Sequence, residues 1–521
     1  MTVLSIARLL SGCMPTLVRD DVQRTTGLES DCAGSERKLT CMLSKTGIQR
    51  TIVSAAVALL FASTAQAAAE LKNGPANLLT PSSTEASSTT TPAAKPLDPN
   101  TPSDPPEPTA PTIEPFDQNA PPRATIPIGP NLTFGGYVSL EGETNRNYRL
   151  TSKPGDANSI LTPTLSPAFA YTPNQYLQIY ANPALEIPVA VEKTGENPQT
   201  TKLNLNLVFL TLKNVVPGAK LQVGRQRFID TRRWLFNENM DAARLAYQYE
   251  NLSLELSVSQ FNLVQRNLLR REELEDEETF VNYYAYADYA FGKKNHVGVF
   301  ALYQDQQRLG TARPFYLGIQ SGGRLVKGLK YWIQAAIVRG TDGAKSIRGE
   351  AIDVGLTQRF DGFWEPSITI GYAYGTGDRN PDDNVDTRFR QTGFQGNSDK
   401  FNGVARFKYY GEVLDPRLTN LMVFTGGAGI RPFEKTSFDL VYHYYLQDHT
   451  STSIRGSDLA TDPTGLSKHV GSELDLVAGY QGTPQLQTKF VLGYFLPGRA
   501  FPEGSRDGAF LASILLRYNF Y

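Results

Sequence analysis

From Asn131 onward the chain consists of segments of roughly ten residues that alternate apolar and polar, with turn residues between them. Leu252, Leu254, Leu256 and Val258 alternate with Ser253, Glu255, Ser257 and Ser259. Phe438, Leu440, Tyr442, Tyr444 and Leu446 alternate with Asp439, Val441, His443, Tyr445 and Gln447, and Leu474, Leu476, Ala478 and Tyr480 with Glu473, Asp475, Val477 and Gly479. A period of two places each set on one face of a strand. Soluble β-sandwiches share this period, so the choice of fold rests on three further features.

Connections alternate between short and long. Glu250-Asn251, Gly292 to Asn295, Asp361-Gly362 and Gly482-Thr483-Pro484 read as tight turns, whereas 261–279, 376–401 and 448–471 read as long polar loops. Short turns at one end and long loops at the other are the pattern of outer-membrane barrels. Tyr247, Tyr249, Tyr372, Tyr374, Tyr494 and Phe495 stand near strand ends, as an interfacial aromatic girdle requires. The last segment carries Phe510, Ala512, Ile514, Leu516, Tyr518 and Phe520 on one face, similar to the C-terminal signal for barrel insertion, with Tyr521 one residue beyond. The fold class expected is all-β: a transmembrane antiparallel β-barrel over 131–521. At roughly 20–24 residues per strand and connection this gives about 16–20 strands, about 18 at the centre of the range. A barrel so wide is expected to enclose an aqueous lumen.

The remainder of the 521 residues reads differently. Cys13, Cys32 and Cys41 all precede Met42. Met42, Lys45 and Arg50 open a signal peptide, Ile52–Ala62 is its apolar stretch, and Ala65-Gln66-Ala67 its cleavage region, so 42–67 is expected to be removed and 1–41 to be a mis-assigned extension. Without cysteine downstream, neither disulfides nor thiol chemistry are available. Residues 68–130 are rich in Pro, Thr, Ser and Ala and are expected to form a disordered periplasmic leader. Tyr (25) and Phe (26) far outnumber Met (5) and His (4), which suits strands. A net charge of -1 gives no basic field for nucleic acid.

Charged residues on the polar faces are the candidates for function. Arg225, Arg227, Arg232, Arg233 and Arg244 fall within twenty residues, and Arg388, Arg390, Lys400, Arg406 and Lys408 form a second group. Guanidinium groups grip carboxylates in two-pronged fashion, so such a lining would pass anions. Arg225, Arg227, Arg244, Arg388, Arg390 and Arg406 are the expected pore-lining set. Asp230 and Asp241 are expected to line the pore with them and to temper their attraction for an anion; alternatively Asp230, Asp241 and Glu238 pair with the arginines, in which case the charges serve only to stiffen the barrel. Parity raises a difficulty: Arg225 and Arg227 share a face with Leu221 and Val223, so either a bulge sits near Gly224 or the strand leaves the bilayer there. Asp378, Asn380 and Asp382 resemble a calcium loop, but Asp383 stands where glycine is expected and Phe389 where glutamate is. Asp448-His449 could mark a hydrolase, yet no nucleophile motif accompanies it. No phosphate loop, zinc signature or cofactor motif occurs.

Several segments resemble the alginate export family. They are Gly224-Arg225-Gln226-Arg227-Phe228-Ile229-Asp230, Arg233-Trp234, Asn239-Met240-Asp241, Gly375-Thr376-Gly377-Asp378, Phe389 to Asn397, Tyr409-Tyr410-Gly411-Glu412 and Leu418-Thr419-Asn420-Leu421. The resemblance spans nearly the whole barrel. It implies an 18-stranded monomer in the outer membrane of a Gram-negative cell, with an electropositive constriction through which an acidic polyuronate slides without cofactor. It also implies a gating loop and turn, and it is compatible with periplasmic scaffold partners beside lipid and lipopolysaccharide. The proline-rich leader departs from the family pattern. A general porin for small anions or sugars and an outer-membrane hydrolase are the alternatives.

Overall fold

The structure is a computed structural model that describes residues 121–152, 157–192, 200–271, 276–292, 294–306, 311–483 and 485–521. The signal-peptide and extension assignments, and the leader up to residue 120, lie outside the described residues. Among the described residues, eighteen antiparallel strands form one sheet. They are β1 (Leu132–Arg146), β2 (Ala157–Asn174), β3 (Leu177–Glu186, continued by Val189–Glu192), β4 (Lys202–Lys213), β5 (Ala219–Ile229) and β6 (Asn237–Tyr249). Next come β7 (Leu252–Gln260), β8 (Phe280–Phe291), β9 (Asn295–Gln306), β10 (Ala312–Val326), β11 (Leu329–Asp342) and β12 (Lys345–Arg359). The last six are β13 (Ser367–Gly375), β14 (Leu421–Phe433), β15 (Thr436–Gln447), β16 (His469–Tyr480), β17 (Leu486–Pro497) and β18 (Ala509–Phe520). Each pairs with its neighbour, and β18 returns to β1 from Gly136↔Phe520 to Arg146↔Phe510, which closes the barrel. Closure satisfies the backbone groups that lipid cannot.

The alternation sorts as a membrane requires. Leu256, Val258, Leu440, Tyr442 and Leu474 are exposed on the outer wall, while Ser257, Glu255, Asp439, His443, Glu473 and Asp475 are buried inside. Among the described residues no helix is long and apolar enough to cross a membrane.

Two connection lengths differ from the sequence reading. The loop expected at 376–401 continues to Asn420, and the turn at Asp361-Gly362 extends over 360–366. The expected leader also ends earlier. Ala124–Gly129 is a strand that pairs with the start of β1, from Ala124↔Gly135 to Gly129↔Leu132, around Asn131 with φ 59°. Asn tolerates this left-handed conformation, so Pro130-Asn131 turns the chain into the first barrel strand.

The interior is not simply water-filled. Phe389, Phe401, Phe407, Tyr409, Tyr410, Val413, Leu414 and Leu418, all from the 376–420 loop, are buried against the inner wall. The loop is held there through its backbone. The Val413 and Leu414 N–H groups donate to Glu473 on β16 (2.6 and 3.0 Å), and Val404 N–H donates to Ser437 Oγ on β15 (2.8 Å). Phe401 stacks on Trp332 of β11 with ring centroids 5.8 Å apart. An inner wall of polar residues suits this docking, because an irregular loop must find hydrogen bonds for its peptide groups wherever it is buried.

Candidate functional site

The site is built from two segments that leave the wall and meet inside it. The first is the far end of the β5–β6 hairpin. Pairing of β4 with β5 stops at Val208↔Arg225, whereas β5 and β6 remain paired to Ile229↔Asn237. The vacated edge of β4 is taken by the 261–279 connection, through Leu205 N–H to Arg266 O (2.9 Å) and Leu268 N–H to Leu203 O (2.8 Å). The parity difficulty is thereby resolved: the strand departs from the wall, and the departure begins at Gly224, whose φ is 118°. A Cβ there would stand 2.4 Å from Val208 O.

Beyond Gly224 the hairpin tip reaches the inner faces of β10 and β12. Asp230 accepts the N–H groups of Trp234, Leu235 and Phe236 at 2.9–3.0 Å and a hydrogen bond from Gln320 of β10 (3.2 Å). Burial raises the Asp230 pKa, and those backbone donors work against the rise. Arg232 pairs with Asp353 of β12 (3.4 Å) and Asp399 (3.0 Å) and lies over the Trp332 and Tyr409 rings. Burial disfavours its charge, but Asp353 and the groups around it hold its pKa above the usual arginine range.

The second segment, 376–420, packs on the first. Trp234 stacks on Phe389 (5.7 Å) and donates Nε1–H to the Tyr410 hydroxyl (3.2 Å). Asn237 N–H donates to Phe394 O (2.6 Å), and the Gly396 and Asn397 N–H groups donate to Arg233 O (2.8 and 3.0 Å). Every segment that carried the family resemblance contributes to this junction or borders it.

A cavity of about 1000 Å³ opens on the turn side of the junction. Its wall includes Pro121, Pro122, Tyr137, Gln487, Asn519 and Tyr521, near the barrel's two ends of chain. Seven basic side chains line it against two acidic ones, Glu186 and Glu434. Among the described residues, four of the seven, Arg123, Arg227, Arg233 and Arg517, make the hydrogen-bonding and ring contacts that follow. Arg227 donates to the amide oxygens of Asn237 (2.7 Å) and Asn239 (3.3 Å), both neutral partners. Arg517 lies 3.4 Å over the Tyr137 ring and Arg123 5.2 Å over that of Tyr521. Arg233 donates to Ser398 Oγ (3.3 Å). Burial, then the neighbouring cations Arg406 and Arg227, push its pKa below the usual arginine range, as expected where positive charges crowd together. Among the described residues, the Nε groups of Arg233, Arg431 and Arg517 are buried without a hydrogen-bond partner. Arg266 and Lys435 complete the set.

A smaller cavity of about 370 Å³ lies on the loop side, lined by Arg388, Arg390, Arg417 and Arg455 with Asp342 as its acid. Arg388 holds Asp386 in a two-pronged pair (2.9 Å to each oxygen), and Arg390 bridges Asp386 (2.6 Å) and Asp342 (2.7 Å). Burial works to raise the Asp386 pKa, yet the bonds from Arg388 and Arg390 hold its carboxyl well below the usual range.

The arginines singled out in the sequence therefore separate. Arg227 lines the large cavity, and Arg388 and Arg390 line the small one. Arg225 differs from expectation: it is buried in a two-pronged pair with Asp241 (3.0 and 2.7 Å) and also binds Leu205 O (3.1 Å) and Val264 O, clasping the hairpin where it leaves the wall. Arg244 points inward as expected, but it pairs with Glu255 (2.7 Å) beneath the Phe228 ring. Arg406 binds Ser398 O (2.7 Å) and Asp399 (3.3 Å), and neither cavity wall includes it. Asp230 and Asp241 are taken up by the contacts already described. Arg517 was legible and missed: it has inward parity on a strand whose outward set had been identified. Arg266 follows from the loop's position on β4, which no periodicity reveals.

In the proposed calcium loop, Asp383 accepts Val385 N–H (2.7 Å) and Asp378 faces Thr387 (3.5 Å). Among the described residues no group of three His, Cys, Asp or Glu side chains could hold a metal ion. Asp448, the acid of the candidate hydrolase pair, accepts Gly377 N–H (2.8 Å) and the Tyr374 hydroxyl (3.1 Å), with His449 Nε2 3.6 Å away.

The sequence profile of the family described as "Alginate export" matches residues 131–509. Over 135 residues the chain is 33% identical to "Alginate production protein AlgE" of Azotobacter vinelandii, a match covering 24% of this chain. The chain spans only 27% of the length of that relative. Among solved structures it is similar to the outer membrane protein OpdK of Pseudomonas aeruginosa (12% identity, 74% of this chain and 98% of that one, TM-score 0.49). It is also similar to a BenF-like porin of Pseudomonas fluorescens Pf-5 (11% identity, 75% and 98%, TM-score 0.49). The protein is an outer-membrane β-barrel channel, and it belongs to the alginate export family.

Proposed function

We propose that the channel passes an anionic polysaccharide of the polyuronate class outward, passively and as a monomer. The observation that carries this reading is the cavity of about 1000 Å³ with seven basic and two acidic side chains in its wall. Polymer carboxylates would exchange among Arg227, Arg233 and Arg517, whose direct contacts are side-chain amides, a hydroxyl and an aromatic ring. Conduction needs contacts strong enough to admit the chain and weak enough to release it. Several arginines with neutral partners meet that condition better than one buried ion pair. The second basic cavity, around Arg388 and Arg390, would receive the polymer once the packed junction between the cavities shifts. No step requires a catalyst or cofactor. The closed barrel holds both cavities within one chain, so no second copy is needed.

Single-channel recording in a planar bilayer tests the reading. Anion-selective current that polymannuronate blocks, with both selectivity and block reduced in Arg227→Ala and Arg233→Ala, supports it. Anion-selective current indifferent to polymannuronate would leave a small-anion porin as the better account.

A further inference from the structure

At the loop ends of β9 to β12 the outer wall changes from apolar to charged. Asp305, Arg313, Arg339, Arg348 and Glu350 share the outward face with Val299, Leu317, Ile337 and Ile352, which are exposed toward lipid. Arg339 and Arg348 stand directly opposite each other on the β11–β12 hairpin, close to its turn at Gly343-Ala344. Like charges facing each other across a strand pair destabilise it, and charge on a lipid-facing strand costs least near the membrane interface. Glu350 lies 3.0 Å from Arg339, and Asp305 lies 3.0 Å from Arg313. Among the described residues Arg348 makes no ion pair, so the patch keeps an excess of positive charge.

The cross-strand row that contains these arginines leads into an apolar groove. From Arg348↔Arg339 it continues as Arg339↔Phe315, Phe315↔Tyr303, Tyr303↔Tyr283, Tyr283↔Val258 and Val258↔Ala243. From Phe315 to Ala243 the row borders a groove of about 430 Å³ on the outer wall. Ala285 and Ala301 also line the groove, and their small side chains leave a depression in a wall otherwise built of Leu, Val, Tyr and Phe. Strands of such barrels tilt by about 35–45°, so a row that crosses them slopes through the membrane. This one starts at the arginines on the loop-side rim and reaches Ala243, midway along β6.

We propose that the groove is a binding site for lipopolysaccharide, with a lipid A phosphate held between Arg339 and Arg348 and an acyl chain laid along Phe315, Tyr303, Ala285 and Ala243. A site that is cationic at the rim and apolar at depth fits a lipid with an anionic head. Guanidinium groups grip phosphate in two-pronged fashion, and the phosphate supplies the counter-charge that Arg348 lacks. The loop side of an outer-membrane barrel faces the cell exterior, hence the lipopolysaccharide leaflet and not the phospholipid one. The groove is continuous with the lipid-facing wall, so the lipid reaches it from the bilayer. Such binding is independent of what passes through the lumen.

Native mass spectrometry of the full chain refolded in detergent micelles tests this, with lipid A or phosphatidylglycerol added at equal concentration. The parent should carry a lipid A adduct that phosphatidylglycerol does not match. Arg339→Ala combined with Arg348→Ala should reduce that adduct by about fivefold or more, and so should Ala285→Phe, whose ring fills the groove. The double substitution Arg339→Lys and Arg348→Lys, which keeps the charge, should restore part of it. All these side chains face away from the lumen, so single-channel current equal to that of the parent verifies that each variant folds. Equal lipid A loading of the parent and the double alanine variant would overturn the proposal, and so would equal loading of lipid A and phosphatidylglycerol. Full lipid A binding by Ala285→Phe would exclude the groove as the acyl site. A dimeric parent that becomes monomeric in Ala285→Phe would assign the groove to a second copy of the chain instead.

Discussion

Arg225 and Arg227 stand two positions apart on β5, yet one meets a buried carboxylate and the other two side-chain amides. Removing Arg225 leaves Asp241 buried without its partner, which costs about 3–5 kcal/mol. Arg225→Ala should therefore lower the denaturant midpoint of the folded barrel in vesicles. Arg227→Ala should change stability by less than about 1 kcal/mol but reduce the anion-over-cation permeability ratio. The opposite ranking would show that the two roles have been exchanged. Sequence alone placed both in one lining set, because spacing identifies which residues are near one another and not which have found a counter-charge. Asp386 gives a pH test. Its pKa is depressed by Arg388 and Arg390, so its contribution is complete above the ordinary carboxylate value of 3.8 and is lost as pH falls through the lower folded value. The stability difference between the parent and Asp386→Asn should therefore be constant from pH 7 to about pH 5 and narrow only below pH 4, in denaturant titrations at each pH. A difference that disappears near pH 6 would contradict the pairing.

At the level of elements, the hairpin tip and the 376–420 loop depend on each other. Gly224 marks the hinge, with a φ no L side chain adopts readily and a Cβ position 2.4 Å from a carbonyl oxygen. Gly224→Ala should cost about 1–3 kcal/mol, read as a lower denaturant midpoint in vesicles, whereas Gly426→Ala, where the added methyl meets nothing within 4 Å, should be nearly silent. Trp234→Ala removes the ring stacked on Phe389 and the donor to Tyr410. It should cost about 3–5 kcal/mol and give larger, noisier single-channel current as the junction loosens. Current and stability like those of the parent would mean that the junction does not bar the lumen. The strands themselves were legible because lipid outside and polar contacts inside enforce a strict period of two. The junction was not, since its aromatic residues lie in loops where no period applies. Yet the segments that resembled the family, from Gly224 to Asp241 and from Phe389 to Leu421, mark the places where that period breaks.

For the whole molecule, the number of strands followed from length divided by the span of a strand and its connection. The basic cavity did not follow, because its wall gathers residues from both ends of the barrel chain, from the 261–279 connection and from the β14–β15 turn. A net charge of -1 conceals this concentration of positive charge. The role proposed for such a cavity is to serve a polyanion in transit. The most direct test loads vesicles containing the refolded protein with fluorescent polymannuronate or with an uncharged dextran of equal length and follows release. Protein-dependent release of polymannuronate well ahead of dextran, slowed at least severalfold by combined Arg227→Ala and Arg233→Ala, is the expected result. Equal release of the two polymers, or release of neither while small anions pass, would contradict it.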